Sequence, residues 1–311
     1  MKETRVTVDA GGVRLDRYLT LRFSGYSRSY FKDLIRRGLV SVDGAACLPD
    51  FRLRGGEVLS LRMGEAGWAD VPFERWVIHE DRDLLVLRKP SGILTHPMGE
   101  SWLQRPEAAL SDSDASVAGF LVKFRPALIE SGVSRCGIVH RLDRQTSGVL
   151  VTVKNTEAER SLLAAFRERR VDKVYRAVVL GDLKKTTVEA PIGRLPGRRR
   201  VRVSPWGKEA STSFTPVKTA RGLSLVNAKP LTGRTHQIRA HLALLGHPVL
   251  GDPEAFGDRE RERLRELGLP PPPRMMLHAY RIRFAHPRTE KKVSFTASVP
   301  KDFLVYWKAV R

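Results

Sequence analysis

Asp143 is the residue whose surroundings most suggest chemistry. It stands in Gly137-Ile-Val-His-Arg-Leu-Asp-Arg-Gln-Thr-Ser-Gly-Val-Leu-Val-Thr-Val153, a stretch that gathers His140, Arg141 and Asp143 within four positions. The segment turns through Gln145-Thr146-Ser147-Gly148 and closes on Val149-Leu150-Val151-Thr152-Val153. That last run is nearly all apolar and β-branched, which predicts a strand buried on both faces. A carboxylate at the lip of such a strand is held more rigidly than one on a solvent loop, as a catalytic group requires.

Pattern alone leaves several uses for that carboxylate. As a cap or ion-pair residue it would be structural. As a metal ligand it needs partners, and His236 and His241 stand five apart, a spacing that does not bring two ligands onto one helix face. No His-Glu-x-x-His, phosphate-loop or dinucleotide fingerprint is present. A glycosidase would need a second carboxylate in a comparable strand-end turn, and none is evident. What remains is a lone carboxylate among arginines and an aromatic.

The rest of the chain must position it. With 311 residues, 41% of them hydrophobic, the protein can bury a substantial core in one small and one large domain. The formal net charge is +21, from 55 Lys+Arg against 34 Asp+Glu. Such an excess favours a polyanionic partner, nucleic acid before an anionic membrane surface. No run of about 18 apolar residues exists to span a bilayer, and the N-terminus carries no apolar signal segment. Cys47 and Cys136 are far apart in sequence, which argues against a disulfide framework or a cysteine zinc site. A reducing, cytoplasmic location is expected.

From Val13 to Met63 the sequence reads as a compact module. Leu15 to Leu21 fits a short helix, and Ser27 caps a second that runs through Arg37 to Gly38. On the second helix Arg28, Lys32 and Arg36 share one face, while Phe31, Leu34 and Ile35 lie on another and can bury it. Gly38 to Gly44 reads as a short strand and turn, and Phe51 to Leu61 alternates like a further strand. Beyond a Gly- and Pro-containing break, Leu84 to Leu87 reads as a buried strand and Pro90 and Gly92 punctuate the turn after it. Further on, Ala158 to Arg170 fits a helix and Lys173 to Leu180 a strand. Ile238, Leu242 and Leu245 have helical spacing before Gly246, Asp258 to Leu267 is a charged helix, and strands follow from Met276 to Val299. The densest basic run is Arg198, Arg199, Arg200 and Arg202, whose charges repel one another unless an anion is present.

The N-terminal pattern resembles the S4 RNA-binding domain. The matching pieces are Arg14-Leu-Asp-Arg-Tyr-Leu19, the basic helix from Ser27, Gly38-Leu-Val-Ser-Val-Asp-Gly44, and Leu53 with Gly55-Gly-Glu-Val58. In that family the basic helix lies against structured RNA, so the resemblance implies phosphate contacts for Arg28, Lys32, Arg36 and Arg37.

From about Trp76 onward the chain resembles the large family of ribosomal and transfer RNA pseudouridine synthases, many of which carry an S4 domain in front. The matches are Lys89-Pro-Ser-Gly92 with His96-Pro97, His140-Arg-Leu-Asp-Arg-Gln-Thr-Ser-Gly148, and Lys173-Val-Tyr-Arg-Ala-Val178. Then come Gly233-Arg-Thr-His-Gln-Ile-Arg239, His241-Leu242, Leu245-Gly-His-Pro248, Gly251-Asp252 and Leu277-His-Ala279. The resemblance implies an α+β catalytic domain on a mixed, mainly antiparallel, bipartite sheet, preceded by a small α/β S4 domain. The expected boundaries are 1–64 for the S4 domain, 65–75 for a linker and 76–311 for the catalytic domain.

The implied reaction detaches uracil from ribose C1′, turns it and rejoins it through C5. It needs no nicotinamide, metal or ATP. Asp143 corresponds to the family's essential catalytic residue, acting at C1′ or on a sugar proton. Arg239 corresponds to the arginine that pairs with it, which favours the charged form and fixes its angle. Tyr175 corresponds to the active-site tyrosine that packs on the base, with a hydroxyl placed to assist proton transfer at C5. The target base must be flipped out of folded RNA, and Arg141 is the expected side chain to enter the vacated stack. Ile238 and Leu277 are candidates for the apolar wall of the uracil pocket, and Lys89 with Arg198, Arg199, Arg200 and Arg202 for phosphate contacts beside it. His140 is open between a ligand-facing and a structural role. The expected partner is structured RNA, large-subunit ribosomal RNA before transfer RNA, met by a monomer and not at a membrane. The alternatives are a non-catalytic RNA-binding or ribosome-assembly factor that kept the fold, and an RNA N-glycosylase that would release free uracil.

Overall fold

Glycine pairs, branched runs and apolar spacing divide this chain into short antiparallel strands and a few helices. A computed structural model describes residues 2–9, 11–23, 28–36, 38–63, 73–97, 99–110, 115–194 and 201–309. The fold separates into two compact units, Met1–Glu74 with Ile93–Ile138, and Arg75–Gly92 with Val139–Arg311.

The first unit begins with strand β1 (Lys2–Thr7), helices α1 (Leu15–Arg22) and α2 (Arg28–Arg36), and strands β2 (Val40–Val42), β3 (Ala45–Ala46) and β4 (Val58–Met63). The strands form an antiparallel sheet in the order β1-β4-β2-β3. Phe31, Leu34 and Ile35 bury the apolar side of α2, as their spacing requires, among Leu15, Leu19, Leu53, Leu59 and Leu61. Only the second half of the alternating stretch from Phe51 to Leu61 is strand. Gly55 and Gly56 take positive φ (101° and 91°), and Glu57 accepts hydrogen bonds from the backbone N–H groups of Arg54 and Gly55. That tight turn consumes the residues that alternation assigned to a strand. The same unit holds α3 (Ser101–Gln104), α4 (Val117–Phe124) and α5 (Ala127–Glu130). The Ser116 side chain caps α4, and Phe73 stacks on Phe120 and Phe124.

The second unit is built on a nine-stranded sheet. Its strands are β5 (Val77–Glu80), β6 (Leu84–Lys89), β7 (Ser147–Val153), β8 (Asp172–Leu180), β9 (Thr186–Glu189), β12 (Ser211–Ala220), β13 (Leu223–Pro230), β14 (Leu277–Ala285) and β15 (Lys292–Thr296). They run in the order β5-β6-β7-β14-β8-β13-β12-β9, with β15 beside β14. A separate hairpin pairs β10 (Ile192–Arg194) with β11 (Val201–Val203). Helices α6 (Thr156–Arg167), α7 (Gln237–Leu244), α8 (Asp258–Glu266) and α9 (Lys301–Ala309) complete it. All pairings among the described strands are antiparallel except β7 with β14, which is parallel and spans only Ser147↔His278 and Gly148↔Ala279. The sheet is therefore mixed and mainly antiparallel, its two halves joined at a two-residue seam.

Every residue of β7 is buried, as the branched run predicted. The seam explains Gly148: its φ is +121°, and an added Cβ would lie 2.1 Å from the Ala279 carbonyl oxygen. Beyond the seam, Ala177, Val178, Val226, Leu242, Met276 and Leu277 belong to the main core. Among the described residues, no helix is long and apolar enough to cross a membrane.

Candidate active site

The turn that carries Asp143 is fixed from two sides. Behind it, the Thr146 N–H donates to the Asp143 carbonyl at 3.0 Å, and β7 then leaves into the core. Beside it lies Lys89-Pro-Ser-Gly92. Gly92 N–H donates to the Arg144 carbonyl at 2.8 Å, Ser91 Oγ to the Gln145 carbonyl at 2.7 Å, and Arg144 Nε to the Gly92 carbonyl at 3.0 Å. Lys89 Nζ donates to the Arg144 carbonyl at 3.2 Å and the Pro90 carbonyl at 2.9 Å.

That placement corrects the expectation that Lys89 contacts phosphate. It is the last residue of β6, where alternation turns Arg88 outward and Lys89 inward, and it is fully buried. Burial lowers its pKa to about 7, against the pull of the Asp143 charge. A lysine in this position ties loop carbonyls together and is shut off from an RNA backbone.

Arg239 reaches the site from the first turns of α7. The helix start is set by Gln237, whose Oε1 accepts from Thr232 Oγ1 (2.6 Å) and the Arg234 N–H (3.0 Å). Its Nε2 donates to the Ser211 carbonyl and Thr212 Oγ1, both at 2.9 Å. His236, at the N-cap, takes the left-handed conformation with φ +55°. Arg239 then faces three carboxylates. Its Nε and Nη2 donate to both oxygens of Asp252 at 2.7 Å, Nη2 also to Glu254 at 2.9 Å, and Nη1 to Asp143 Oδ2 at 3.5 Å. Burial works to lower its pKa, but Asp252, Asp143 and Glu254 more than offset this and hold it above the ordinary arginine value. The bidentate partner is therefore Asp252, a residue to which sequence reasoning gave no role; the Gly251-Asp252 pair was its only signal. The Asp143 contact is the longer, more open one.

His236 completes the cluster. Its Nε2 lies 3.8 Å from Asp143 Oδ2. Its Nδ1 lies 3.1 Å from Glu254 Oε1 without the geometry of a hydrogen bond, so that contact is electrostatic and counts when the ring is protonated. A cavity of about 390 Å³ opens beside these residues, lined by Arg202, His236, Arg239, Asp252 and Glu254 with Val201, Val203 and Ala240 among its apolar wall.

Tyr175 sits on β8, paired with Ala228 of β13 and Ala279 of β14. Burial, and then the Asp143 charge, push its hydroxyl well above the usual tyrosine value, so it stays protonated. His140 takes the structural one of its two roles: Nε2 accepts the Val151 N–H at 2.9 Å, and burial drives its pKa down to about 3. Ser147 Oγ lies 2.9 Å from His278 Nδ1, a serine–histidine contact, but both residues are buried and His278 is pushed to about 4 by burial. The pair supports the seam and has no access to a substrate.

Ile238 and Leu277 are buried in the core against which Tyr175 packs. Arg141, Arg36 and Arg202 are exposed. Lys32 Nζ lies 3.8 Å from the buried Asp16 carboxylate, which Arg14 also holds at 3.1 Å. Arg37, Arg198, Arg199, Arg200 and the side chain of Arg28 lie outside the described residues. Asp81, Asp83 and His286 come close enough to hold a metal ion. The Arg288 guanidinium already occupies Asp83 at 2.5 Å and His79 holds Asp81 at 2.7 Å, so the cluster reads as an ion-pair network.

Comparison with known proteins follows this geometry. A family model for RNA pseudouridylate synthase matches residues 83–244, and one for the S4 domain matches residues 13–59. A protein of Aquifex aeolicus named as an uncharacterized RNA pseudouridine synthase is 37% identical over 299 residues, covering 93% of this chain and 91% of its own. The ribosomal large subunit pseudouridine synthase D of Pseudomonas aeruginosa is 32% identical over 318 residues, covering 97% and 93%. Among solved structures, human RNA pseudouridylate synthase domain containing 1 superposes with a TM-score of 0.53 at 28% identity, covering 72% of this chain and 83% of its own. Human RNA pseudouridylate synthase domain containing 4 gives 0.57 at 24% identity, covering 76% and 94%, a likeness of fold.

Proposed function

The chain belongs to the RNA pseudouridylate synthase family, and on that premise we propose that it converts specific uridines of large-subunit ribosomal RNA to pseudouridine, with Asp143 as the catalytic carboxylate. The observation that carries this reading is the approach of Asp143 to within 3.5 Å of Arg239, although the two stand in motifs 96 positions apart. Relatives across 91–93% of their own length, several named for the ribosomal large subunit, support the choice of RNA.

Asp143 presents its carboxylate to the sugar of an everted uridine, at C1′ or at a sugar proton. Arg239, clamped by Asp252, holds that carboxylate at a fixed angle and balances its charge. Once the glycosidic bond opens, with Asp143 bonded to C1′ or carrying the sugar proton, the uracil turns and C5 bonds to C1′ as the Asp143–C1′ bond breaks or the sugar proton is returned; the proton on C5 is then lost and N1 gains one. The raised Tyr175 pKa argues against a resident phenolate base. The Tyr175 ring packs on uracil, and its protonated hydroxyl serves as a hydrogen-bond donor. Arg141, exposed two positions before Asp143, fills the stack that the uridine leaves, and Ile238 and Leu277 back the pocket. Residues 1–64 act as the S4 domain, which with Lys32 and Arg36 of α2 grips RNA phosphates, and 76–311 carry the catalytic machinery, with Ile93–Ile138 clustering in the first compact unit; of the expected 65–75 linker, residues 65–72 lie outside the described residues. The protein acts as a cytoplasmic monomer.

The test is to incubate purified protein with unmodified large-subunit RNA and map pseudouridine by chemical probing. Wild type introduces it at discrete positions, and Asp143→Asn loses turnover while keeping RNA affinity. Free uracil as the product, or turnover by Asp143→Asn near the parent rate, would overturn the assignment.

A further inference from the structure

Trp206 is 93% exposed, the most exposed large hydrophobic side chain among the described residues, ahead of Leu48 at 70%. It does not sit on a floppy tip. The Gly207 N–H donates to the Ser204 carbonyl at 2.8 Å, closing a turn over Pro205-Trp206. The Ser204 N–H donates to the Pro191 carbonyl, and Lys208 and Ile192 exchange both backbone hydrogen bonds at 2.9 Å. The packing under the turn is tight: a Cβ on Gly207 would lie 2.4 Å from the Ile192 carbonyl carbon. Ser204, Ala210 and Ile192 beneath are buried. A rigid base thus presents one indole with both faces in water.

The charge near it in the chain is mainly positive, with the exposed Glu189 and Glu209 flanking the basic stretch. Between Ala190 and Lys208 the sequence carries Arg194, Arg198, Arg199, Arg200, Arg202 and Lys208 and no carboxylate. Of the described members, Arg194, Arg202 and Lys208 are all exposed. Trp206 is also near the chemistry. It follows Val203 by three positions, a chain reach of roughly 11 Å at most, and Val203 lines the cavity beside His236 and Arg239. A flat, rigid aromatic with exposed cations before and after it in the chain is what a single-stranded nucleic acid recognises: phosphates meet the cations and an unpaired base stacks on the ring.

We propose that Trp206 is a stacking platform for an unpaired nucleobase of the substrate RNA close to the target uridine, with Arg202 and Lys208 holding the adjoining phosphates. This rests on the functional reading above and adds a second base-binding site to it. The occupied platform holds the RNA strand on the catalytic domain itself while the uridine is turned out.

The experiment measures binding and turnover on one unmodified large-subunit RNA fragment with wild type, Trp206→Ala and Trp206→Phe. Removing an aromatic platform costs roughly 5- to 100-fold in affinity. Trp206→Ala is therefore expected to weaken binding and raise KM by about tenfold or more, with the saturating rate changing far less. Trp206→Phe, which keeps a π-face, should recover most of the affinity. RNA should quench tryptophan fluorescence in wild type, and the Trp206→Phe protein should lack that component. An unchanged denaturation midpoint for Trp206→Ala is expected from its exposure. Equal affinity and KM for wild type and Trp206→Ala overturn the stacking site and leave the enzyme assignment standing. A wild type that neither binds nor modifies the RNA overturns both. Fluorescence that responds to phosphatidylserine vesicles and not to RNA replaces the base with a membrane surface and overturns the proposal.

Discussion

Replacing Asp252 by asparagine tests whether the guanidinium beside Asp143 is held from behind. Asp252 is buried, with 1% exposure, and takes both Nε and Nη2 of Arg239 at 2.7 Å while also accepting the Glu254 N–H at 2.9 Å. The asparagine oxygen can replace one of these contacts, but its amide N–H₂ then points donors at donors. Breaking a buried ion pair by removing one partner costs about 3–5 kcal/mol. Here Glu254 and Asp143 still balance the arginine, so the expected loss is smaller, roughly 2–3 kcal/mol. In a domain of this size that lowers the melting midpoint by roughly 5–10 °C. The catalytic consequence is separate. Freed from its clamp, the guanidinium can swing toward Asp143, and a displacement of about 1 Å in a positioning group can cost on the order of a hundredfold in rate. Chemical denaturation at constant m-value gives the first quantity, and single-turnover release of the C5 hydrogen from labelled RNA gives the second. Asp252→Asn should lose kcat with little change in RNA affinity. A variant that loses stability but keeps kcat would show that Asp252 merely packs the region, and one that loses neither would refute the clamp.

Two further outcomes follow from buried groups. Lys89 titrates near 7 in the folded protein against 10.5 for the ordinary side chain, so between those values the unfolded chain binds more protons and stability rises with pH. The rise from this group approaches ~1.4 kcal/mol per pH unit at its steepest; Lys89→Met should lose it when urea unfolding of the two proteins is compared from pH 7.5 to 8.5, where the cysteine contribution is common to both, and parallel slopes would count against the buried amine. At the seam, Gly148→Ala must place a methyl on the Ala279 carbonyl at positive φ, a loss on the order of 4 kcal/mol, whereas Gly233→Ala meets nothing within 4 Å and should cost less than about 1 kcal/mol. Denaturation midpoints that fall equally for the two would remove the close approach as the reason for Gly148.

The sequence made several elements legible because local rules suffice for them. The branched run after Gly148 had to be a doubly buried strand, and Phe31, Leu34 and Ile35 had to turn one side of α2 inward. The motif around Asp143 and the one ending at Arg239 were readable one by one, since residue type and order survive in a string. Burial was less so. Lys89 looked like a phosphate contact because a lysine after a strand is usually exposed; only its register on β6 put the amine beneath the turn it holds. The alternating run from Phe51 looked like strand because period-two patterning cannot see a glycine pair taking positive φ.

What the amino-acid order settled by itself was therefore the kind of chain: a basic protein with an S4 segment, a two-faced strand and a solitary carboxylate at its mouth. The folded state decided who meets whom. Arg239 was expected to serve Asp143, yet its shortest contacts go to Asp252, because α7 delivers the guanidinium side-on to a carboxylate thirteen residues downstream and leaves only Nη1 for the catalytic turn. Distances between residues far apart in a chain are set by the sheet and helix packing that bring them together, and no local pattern contains that information.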